Sequence, residues 1–330
     1  MPRVFLAVCV ALALVAGCKE STSTNQNASS NSQSSSNAKP QIAVIPKGTT
    51  HEFWKSVQAG AQKAGQEFNA DIIWKGPVKE DDRASQIQVV QEFVADKVAG
   101  IVLAPLDENA LANPVRAAAQ ENIPVVIIDS ALKGTPGKDF VSFVATDNHK
   151  GGELGGEQLA KLLDNKGKVV LLRYAVGSAS TEARETGFLD AIKKHPDIQV
   201  ISSDRYAGAT VDTAKTSALN MVDTLKQADG VFCPNESATI GMLLALQQLG
   251  LAGKVKFVGF DQTQPLIKAM KDGQVNALVA QDPFKIGYMG VKTMMQHIKG
   301  EKVDPLIDTG VQVITPENVN TPEIQNLLAH

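Results

Sequence analysis

The sequence predicts an α/β protein with two doubly wound, parallel-sheet lobes. Along residues 40–330, short and continuously apolar runs alternate with longer amphipathic stretches. This pattern is typical of buried parallel strands that alternate with the helices covering them. The segment is long for one compact domain and suits two domains of ordinary size. We therefore expect one sheet in each domain.

The apolar runs mark the predicted strands in order. They lie at 42–45, 72–74, 100–103, 124–128, 169–172, 199–201, 230–233, 255–259 and 277–280. The first amphipathic stretch follows Thr49 and Glu52, which are spaced as a helix-capping box. Its helical periodicity puts Phe53 on the buried stripe and leaves Trp54 off it, which favours an exposed Trp54. Residues 79–83 are predicted to be the solvated start of the second helix, with Asp81 or Asp82 as its cap.

The N-terminal segment predicts export. Residues 4–16 form an apolar run after Arg3 that is too short to span a bilayer, so we interpret residues 1–17 as a signal peptide. The residues before Cys18 resemble the lipobox of bacterial lipoproteins, which implies lipidation at Cys18. An ordinary secretory signal is the alternative. Residues 18–40 are almost wholly polar and predict a disordered tether. We expect a periplasmic or extracytoplasmic location, held to the membrane only through the lipid.

Composition excludes several classes of partner. The net charge is −3 and no basic block occurs, which argues against nucleic acid as a partner. Outside the signal and the lipidation site only Cys233 remains, so an intramolecular disulfide is excluded. The 5 histidines are scattered singly, so we expect no structural metal. We also expect no cofactor and a monomeric protein.

Planar polar side chains follow several predicted strands. Ligands bind beyond the carboxyl ends of the strands in an open parallel sheet. Asp129, Asn235, Asp261 and Gln281 come directly after apolar runs, and Arg184 lies near the start of a later helix. Each presents two hydrogen-bonding atoms in one plane, which suits paired sugar hydroxyls.

Aromatic side chains complete this interpretation. Phe53 and Trp54 lie at the start of the first helix, where a ring can stack on the apolar face of a sugar. Taken singly, Asp129 also fits a capping residue, Asn235 a turn residue and Phe53 a core residue. Their joint occurrence favours a monosaccharide site.

At these residues the chain resembles the periplasmic sugar-binding proteins of bacterial ABC importers, specifically the ribose-binding-like group. The resemblance covers residues 41 to about 313. The motifs that carry it are HEFW at 51–54, APLD at 104–107, IPVVIID at 123–129, ATDN at 145–148, ARETGF at 183–188, PNE at 234–236, VGFD at 258–261 and AQDP at 280–283.

The resemblance implies a type I periplasmic fold whose lobes are joined by a three-strand hinge. The implied lobes are residues 41–146 plus 283–310 and residues 147–282 plus 311–330. The family's ligand contacts fall on His51, Phe53, Trp54, Asp129, Arg184, Asn235, Asp261 and Gln281.

Two positions depart from the ribose-binding pattern. His51 replaces an asparagine, and Ser130 replaces an arginine that would give a bidentate hold on the sugar. Lys47 and Ser130 are further candidate contacts, and Tyr206 is the candidate for an aromatic contact from the far lobe.

The implied function is capture of a pentose or related sugar between the lobes, with delivery to an ABC permease. The sequence raises four alternatives. A lipoprotein sensor that presents its ligand to a chemoreceptor or kinase shares all these features. A glycosidase would use Asp129 and Asp261 as acid and base, but Arg184 would keep both ionised. A dinucleotide site at 151–156 lacks the preceding strand and downstream acid. A sugar-responsive repressor would begin with a helix-turn-helix, which is absent.

Overall fold

Two six-stranded sheets organise the protein in the computed structural model, which describes residues 38–329. The first sheet is wholly parallel. In spatial order it contains β2 (Asp71–Trp74), β1 (Gln41–Ile45), β3 (Gly100–Leu103), β4 (Val125–Ile128), β5 (Ser142–Ala145) and β11 (Leu306–Asp308). Its central strands are fully buried, as their unbroken apolar sequences predict.

The second sheet repeats the order of the first. In spatial order it contains β7 (Ile198–Tyr206), β6 (Gly167–Arg173), β8 (Gly230–Phe232), β9 (Lys256–Phe260), β10 (Ala277–Ala280) and β12 (Gln312–Ile314). Only β12 runs antiparallel to its neighbour. β4 and β9 therefore hold equivalent positions, which becomes important at the site.

Helices cover both faces of each sheet. The first sheet packs against α1 (Glu52–Phe68) and α10 (Pro283–Ile298) on one face and against α2 (Arg83–Ala95) and α3 (Ala112–Gln120) on the other. In the second sheet, α4 (Asn148–Leu162) and α5 (Ala179–Ile192) cover one face. The other face packs against α6 (Val211–Leu219), α7 (Val222–Leu225), α8 (Glu236–Gln248), α9 (Gln264–Lys271) and α11 (Pro322–Leu328).

The predicted fold class is confirmed, and each predicted apolar run is a strand. The sequence did not predict three strands. One is β5, which is mostly buried. The other two, β11 and β12, are edge strands of three residues with partly exposed side chains. Edge strands this short need no continuous apolar run, so the sequence pattern does not mark them.

The chain passes between the sheets near three segments. It leaves the first sheet after β5, returns to it through α10 and β11, and rejoins the second sheet at β12. Thr146, Thr309 and Gly310 contact one another where two of these connections run side by side.

Glycines bring pairs of helices unusually close. A Cβ on Gly152 in α4 would lie 1.9 Å from the carbonyl oxygen of Arg184 in α5. A Cβ on Gly60 in α1 would lie 1.9 Å from the carbonyl oxygen of Phe284 in α10. Each sheet is thus covered by one helix pair whose backbones are in direct contact.

None of the helices within residues 38–329 is long and apolar enough to cross a membrane. The predicted signal peptide 1–17, the lipidation site Cys18 and nearly all of the predicted tether 18–40 lie outside the described residues.

Candidate functional site

The cleft between the carboxyl ends of the two sheets collects the residues singled out from the sequence. Nine of them line one cavity: Lys47, His51, Phe53, Trp54, Asp129, Arg184, Asn235, Asp261 and Gln281. The same cavity is lined by four residues that the sequence did not single out as site residues: Glu80, Ser180, Thr181 and Glu236.

Asp129 and Asp261 occupy equivalent positions in the two sheets. Each directly follows a strand, β4 or β9, and each has a left-handed backbone, with φ of 62° and 72° respectively. The amide of each donates to the neighbouring strand, Asp129 to Val144 and Asp261 to Val279. Aspartate tolerates this conformation better than most residues. The sharp turn directs both carboxylates out of their sheets and into the cleft.

Arg184 is held by its surroundings rather than by a salt bridge. Its Nε donates to Asn148 Oδ1 at 2.8 Å, and Nη1 donates to the carbonyl of Pro234 at 2.9 Å. The guanidinium stacks 4.0 Å above the ring of Phe260. Burial lowers its pKa, an effect opposed by the charges of Asp261 and Asp129. Its remaining terminal nitrogen has no hydrogen-bond partner within residues 38–329 and lies in the cavity wall.

Lys47 crosses the cleft from the end of β1. Its Nζ lies 3.1 Å from Asp129 Oδ2 and donates at 2.9 Å to Ser180 Oγ on α5. Both partners of the ion pair are almost fully buried. The resemblance implies an arginine beside Asp129 where this chain has Ser130. Lys47 supplies a cation next to Asp129 from a different strand.

His51 forms a buried ion pair with Glu80, which lies just before α2. His51 Nδ1 is 2.8 Å from Glu80 Oε1. Burial alone would lower the pKa of His51, but the charge of Glu80 and its hydrogen bond raise that pKa to about 9. Burial alone would raise the pKa of Glu80, and His51 and Lys47 lower it to about 2. The prediction that residues 79–83 are solvated is therefore wrong for Glu80, although Asp82 caps α2 as expected.

The exposure expected for the two aromatic residues is reversed. Trp54 is 2% exposed and donates its indole N–H to Glu80, whereas Phe53 is only half-buried. The two rings meet edge to face at 4.9 Å. The prediction for Trp54 is wrong because its ring packs into the core of the first sheet and its N–H bonds to Glu80 in the segment before α2. Periodicity within α1 does not show either contact. Phe53 is the better placed of the two to stack on a ligand.

Glu236 reaches from α8 to the start of α1. Its two carboxylate oxygens accept the backbone N–H groups of Glu52 at 3.1 Å and Phe53 at 2.9 Å. α1 begins at Glu52 without a side-chain cap of its own, so the predicted capping box of Thr49 and Glu52 is wrong. Burial raises the pKa of Glu236 to about 7, although His51 opposes the rise.

Asp261 and Gln281 interlock beside Glu236. Asp261 accepts from the Gln281 side-chain amide at 2.7 Å and from the Glu236 backbone N–H at 2.8 Å. Burial raises the pKa of Asp261, and Arg184 opposes this. The other amide atom, Gln281 Oε1, is buried without a hydrogen-bond partner in the described part of the chain. A buried acceptor of this kind costs free energy until a donor reaches it.

Asn235 is the N-cap of α8, where its Oδ1 accepts from the Ala238 N–H at 3.3 Å. Asn235, for which a turn residue was the alternative, is therefore a helix cap that still lines the cavity. Ser130 is buried at the edge of the site and accepts from the Ser180 N–H at 3.1 Å. Tyr206 ends β7, is 45% exposed and does not line this cavity, so the structure does not support it as a contact.

The side chains of the two sheets nearly fill the cleft. About 20 Å³ remains between them, room for about one water molecule. A larger cavity of about 200 Å³ adjoins it and shares the walls formed by Phe53, Glu236 and Asp261. Glu236 stands between the two cavities. A ligand the size of a sugar therefore enters only when the sheets separate, and it is held only if side chains that fill the cleft move aside. Retraction of Glu236 would join the two spaces.

The arrangement suits binding of a small polar molecule. Several side chains that line the same cavity as the half-buried Phe53 have a hydrogen-bonding atom without a partner among residues 38–329. The donors are His51 Nε2 and one Arg184 nitrogen, and the acceptors are Asp129 Oδ1 and Gln281 Oε1. Donors and acceptors on opposite walls match a rim of hydroxyl groups.

Comparison with known proteins agrees with this geometry. A family model described as a periplasmic binding protein domain matches residues 42–302. The ribose import binding protein RbsB of Salmonella typhimurium is 33% identical over 271 residues, which covers 81% of this chain and 87% of that protein.

Solved structures show the same fold. A carbohydrate transporter solute binding protein from Agrobacterium radiobacter, in complex with D-arabinose, has 36% identity and a TM-score of 0.84, covering 88% of this chain and 99% of that one. An ABC transporter solute binding protein from Agrobacterium vitis, with bound D-fucose, has 37% identity and a TM-score of 0.84, covering 87% and 99%. These relatives are solute-binding proteins, so the glycosidase alternative is not supported. The chain belongs to the periplasmic binding protein domain family.

Proposed function

We propose that this protein captures a monosaccharide, a pentose or a related sugar, in the cleft between its two lobes and delivers it to an ABC permease. One observation carries the proposal: polar atoms without partners in the described residues belong to side chains from both sheets that line one cavity, and Phe53 lines the same cavity. The relatives bound to D-arabinose and D-fucose, and the ribose import protein, support a small sugar as the ligand.

The ligand contacts in this proposal are His51, Phe53, Trp54, Asp129, Arg184, Asn235, Asp261 and Gln281, with Lys47 beside them. Trp54 acts from beneath, because it is buried and supports Phe53. Arg184 and Asp261 come from one wall, whereas His51 and Asp129 come from the other. A ligand that touches both walls has a higher affinity for the closed form and shifts the population toward it.

We place the lobe boundaries at the three connections between the sheets, near Asp147, Asp282 and Gly310. The first lobe is then 41–146 plus 283–310, and the second is 147–282 plus 311–330. The described contacts across the cleft, Lys47 with Ser180 and Glu236 with the start of α1, are those of a closed form.

The anchoring proposal concerns residues outside the described part of the chain. After removal of residues 1–17, Cys18 would carry the lipid and the tether would hold the body, a monomer, at the membrane surface. Expression of the full chain with Cys18→Ser tests this proposal. We expect the variant to leave the membrane fraction for the soluble one, whereas retention in the membrane would contradict lipidation at Cys18.

Calorimetric titration tests the proposed function. We expect binding of at least one sugar in a panel of D-ribose, D-arabinose, D-fucose and D-allose, and a loss of about tenfold or more in affinity for Phe53→Ala, since a stacked ring contributes about 1.5 kcal/mol or more. Phe68→Ala, at the far end of the same helix, is the control and should bind as the native protein does.

A panel without any binding heat would contradict sugar capture. Small-angle scattering tests closure separately, because the radius of gyration should fall when the ligand saturates the protein. The sensor alternative makes the same predictions for binding. The relatives described as import and transporter proteins favour transport.

A further inference from the structure

We propose that Glu80 determines which ligand atoms the cleft accepts, because it holds His51 as a cation whose Nε2–H can only donate a hydrogen bond. Glu80 is a positioning residue in this role and acts through His51. The inference rests on the proposed function only in taking a sugar as the ligand. The arrangement of Glu80 and His51 does not depend on that function.

Glu80 gathers three donors from three directions. Its Oε1 accepts from His51 Nδ1 at 2.8 Å and from Trp54 Nε1, and its Oε2 accepts from the Tyr174 hydroxyl at 2.8 Å. An indole N–H can only donate, so the carboxylate must accept there. The residue is 8% exposed, and each oxygen is used. An ionised carboxylate fits this arrangement, since charge-assisted bonds are the stronger ones.

The contact with Glu80 decides what the other imidazole nitrogen does. Nδ1 faces a carboxylate and carries a proton in both charge states of the ring. Protonation therefore changes only Nε2, which donates when the ring is a cation and accepts when it is neutral. Nε2 has no partner within residues 38–329, and His51 lines the cavity. The charge of His51 thus sets the polarity of one contact with the ligand.

The charged groups around the ring favour the cation. Glu80 faces it from the segment before α2, Glu236 from α8 and Asp261 from the end of β9. Burial opposes the cation, and these carboxylates outweigh burial, so the pKa of His51 rises to about 9. Lys47 is the nearby cation that acts on Glu80, and it helps to lower the pKa of Glu80 to about 2. His51 therefore stays charged throughout the neutral range.

A permanent donor at His51 Nε2 restricts the range of ligands that fit the cleft. The asparagine implied at this position in ribose binders offers both a donor and an acceptor, whereas the His51 cation offers a donor alone. The ligand must direct an oxygen lone pair at Nε2, from a hydroxyl, a ring oxygen or a carbonyl. A sugar with an ammonium group at that position is repelled. Tyr174 directly follows β6, so Glu80 is also bonded to the second sheet when the cleft is closed.

Nuclear magnetic resonance of the full chain with ¹⁵N-labelled histidine tests the proposal without any ligand. His51 is assigned by the loss of its signals in His51→Asn. We expect both ring nitrogens of His51 to be protonated at about pH 8 in the native protein, with a pKa near 9. In Glu80→Gln the pKa should fall by at least about one unit toward 6.5. Asp81→Asn removes an exposed neighbouring carboxylate and should leave it unchanged.

Calorimetry then measures how the affinity for D-ribose, D-arabinose and D-fucose changes with pH. Glu236 titrates in this interval in both proteins, so the two are compared: from about pH 6 to about pH 8 the affinity of Glu80→Gln should fall about tenfold more than native affinity, as Nε2 loses its proton. A native His51 pKa below about 7, or an equal fall in Asp81→Asn, would overturn the proposal. If Glu80→Gln does not fold, the pKa of His51 in the native protein still tests the proposal. Absence of sugar binding would overturn the proposed function and leave the resonance result to stand on its own.

Discussion

A single added methyl group at Gly152 is expected to weaken ligand binding without touching the cleft. Gly152 lies in α4 and has no role at the site, but a Cβ there would lie 1.9 Å from the carbonyl oxygen of Arg184. Ordinary van der Waals contact begins at 3.4 Å, so α5 would have to withdraw by 3.4 − 1.9 = 1.5 Å at Arg184.

The magnitude follows from what that shift breaks. Overpacking costs about 1–3 kcal/mol, and a contact of 1.9 Å with a backbone oxygen belongs in the upper part of that range, at about 2–3 kcal/mol. Alanine regains about 1 kcal/mol of helix propensity, which leaves a net loss of about 1–2 kcal/mol of folding free energy. The bonds from Arg184 to Asn148 and Pro234 are 2.8 and 2.9 Å long and cannot both survive the shift. A guanidinium displaced in this way also loses its bond to the ligand. One bond to a charged group contributes about 1.5–3 kcal/mol, so affinity should fall about tenfold to a hundredfold.

Thermal unfolding and calorimetry measure the two effects on Gly152→Ala. We expect a melting temperature lower by about 2–8 °C together with the loss of affinity. Lys161→Ala, on the exposed side of the same helix, is the control and should change stability by less than about 0.5 kcal/mol. Native stability and native affinity in Gly152→Ala would refute the argument that contact between α4 and α5 positions Arg184.

Three other changes test the electrostatics of the cleft. Lys47→Met leaves the buried Asp129 carboxylate without its cation and should cost about 3–5 kcal/mol in urea unfolding, with most of this regained in the double variant with Asp129→Asn. Trp54→Phe keeps most of the aromatic volume, loses the bond to Glu80 and should cost about 1.5–3 kcal/mol by the same measurement. The pKa of Glu236 is raised to about 7 in the folded protein, so the native state holds a proton that the unfolded chain releases above about pH 4.5. Folding stability should therefore fall as pH rises from about 4.5 to about 7, and Glu236→Gln should remove that part of the pH dependence.

Each of these predictions has a result that contradicts it. A double variant no more stable than Lys47→Met would show that the cost does not come from an unpaired charge. Native stability in Trp54→Phe would mean that the indole bond to Glu80 contributes nothing. An identical pH profile for Glu236→Gln would place the titration elsewhere. His51 also titrates, but its raised pKa acts between about 6.5 and about 9, which lies mostly above the interval from about 4.5 to about 7 in which Glu236 acts.

The predicted strands were recognisable because parallel strands buried on both faces need continuous apolar runs. The residues after those runs could be singled out because the carboxyl ends of the parallel strands lie at one edge of each sheet, where ligands bind. Asp129, Asn235, Asp261 and Gln281 were identified in this way. Edge strands such as β11 were missed because their side chains stay partly exposed and need no apolar run.

Glu80 and Glu236 were not identified as site residues, and the reason is physical. Glu80 lies in a charged run beside Asp81 and Asp82, and Glu236 lies among small and polar residues. Both compositions are also usual for an exposed loop or a helix start. Their donors are distant in the chain: Glu236 accepts from Glu52 and Phe53, 184 and 183 residues away, and Glu80 accepts from Tyr174, 94 residues away. The PNE motif contains Glu236 but does not indicate its partner in the first helix.

The amino-acid sequence by itself determined the two α/β sheets, the class of side chains at their edges and the resemblance to sugar-binding proteins, since these depend on local periodicity and on residue type. Only the tertiary structure decided which charges meet. Lys47 pairs with Asp129 and His51 with Glu80 within the first lobe, and Glu236 reaches across the cleft to the first turn of α1, because burial removes water from each charge and leaves only a partner that the fold brings near to stabilise it.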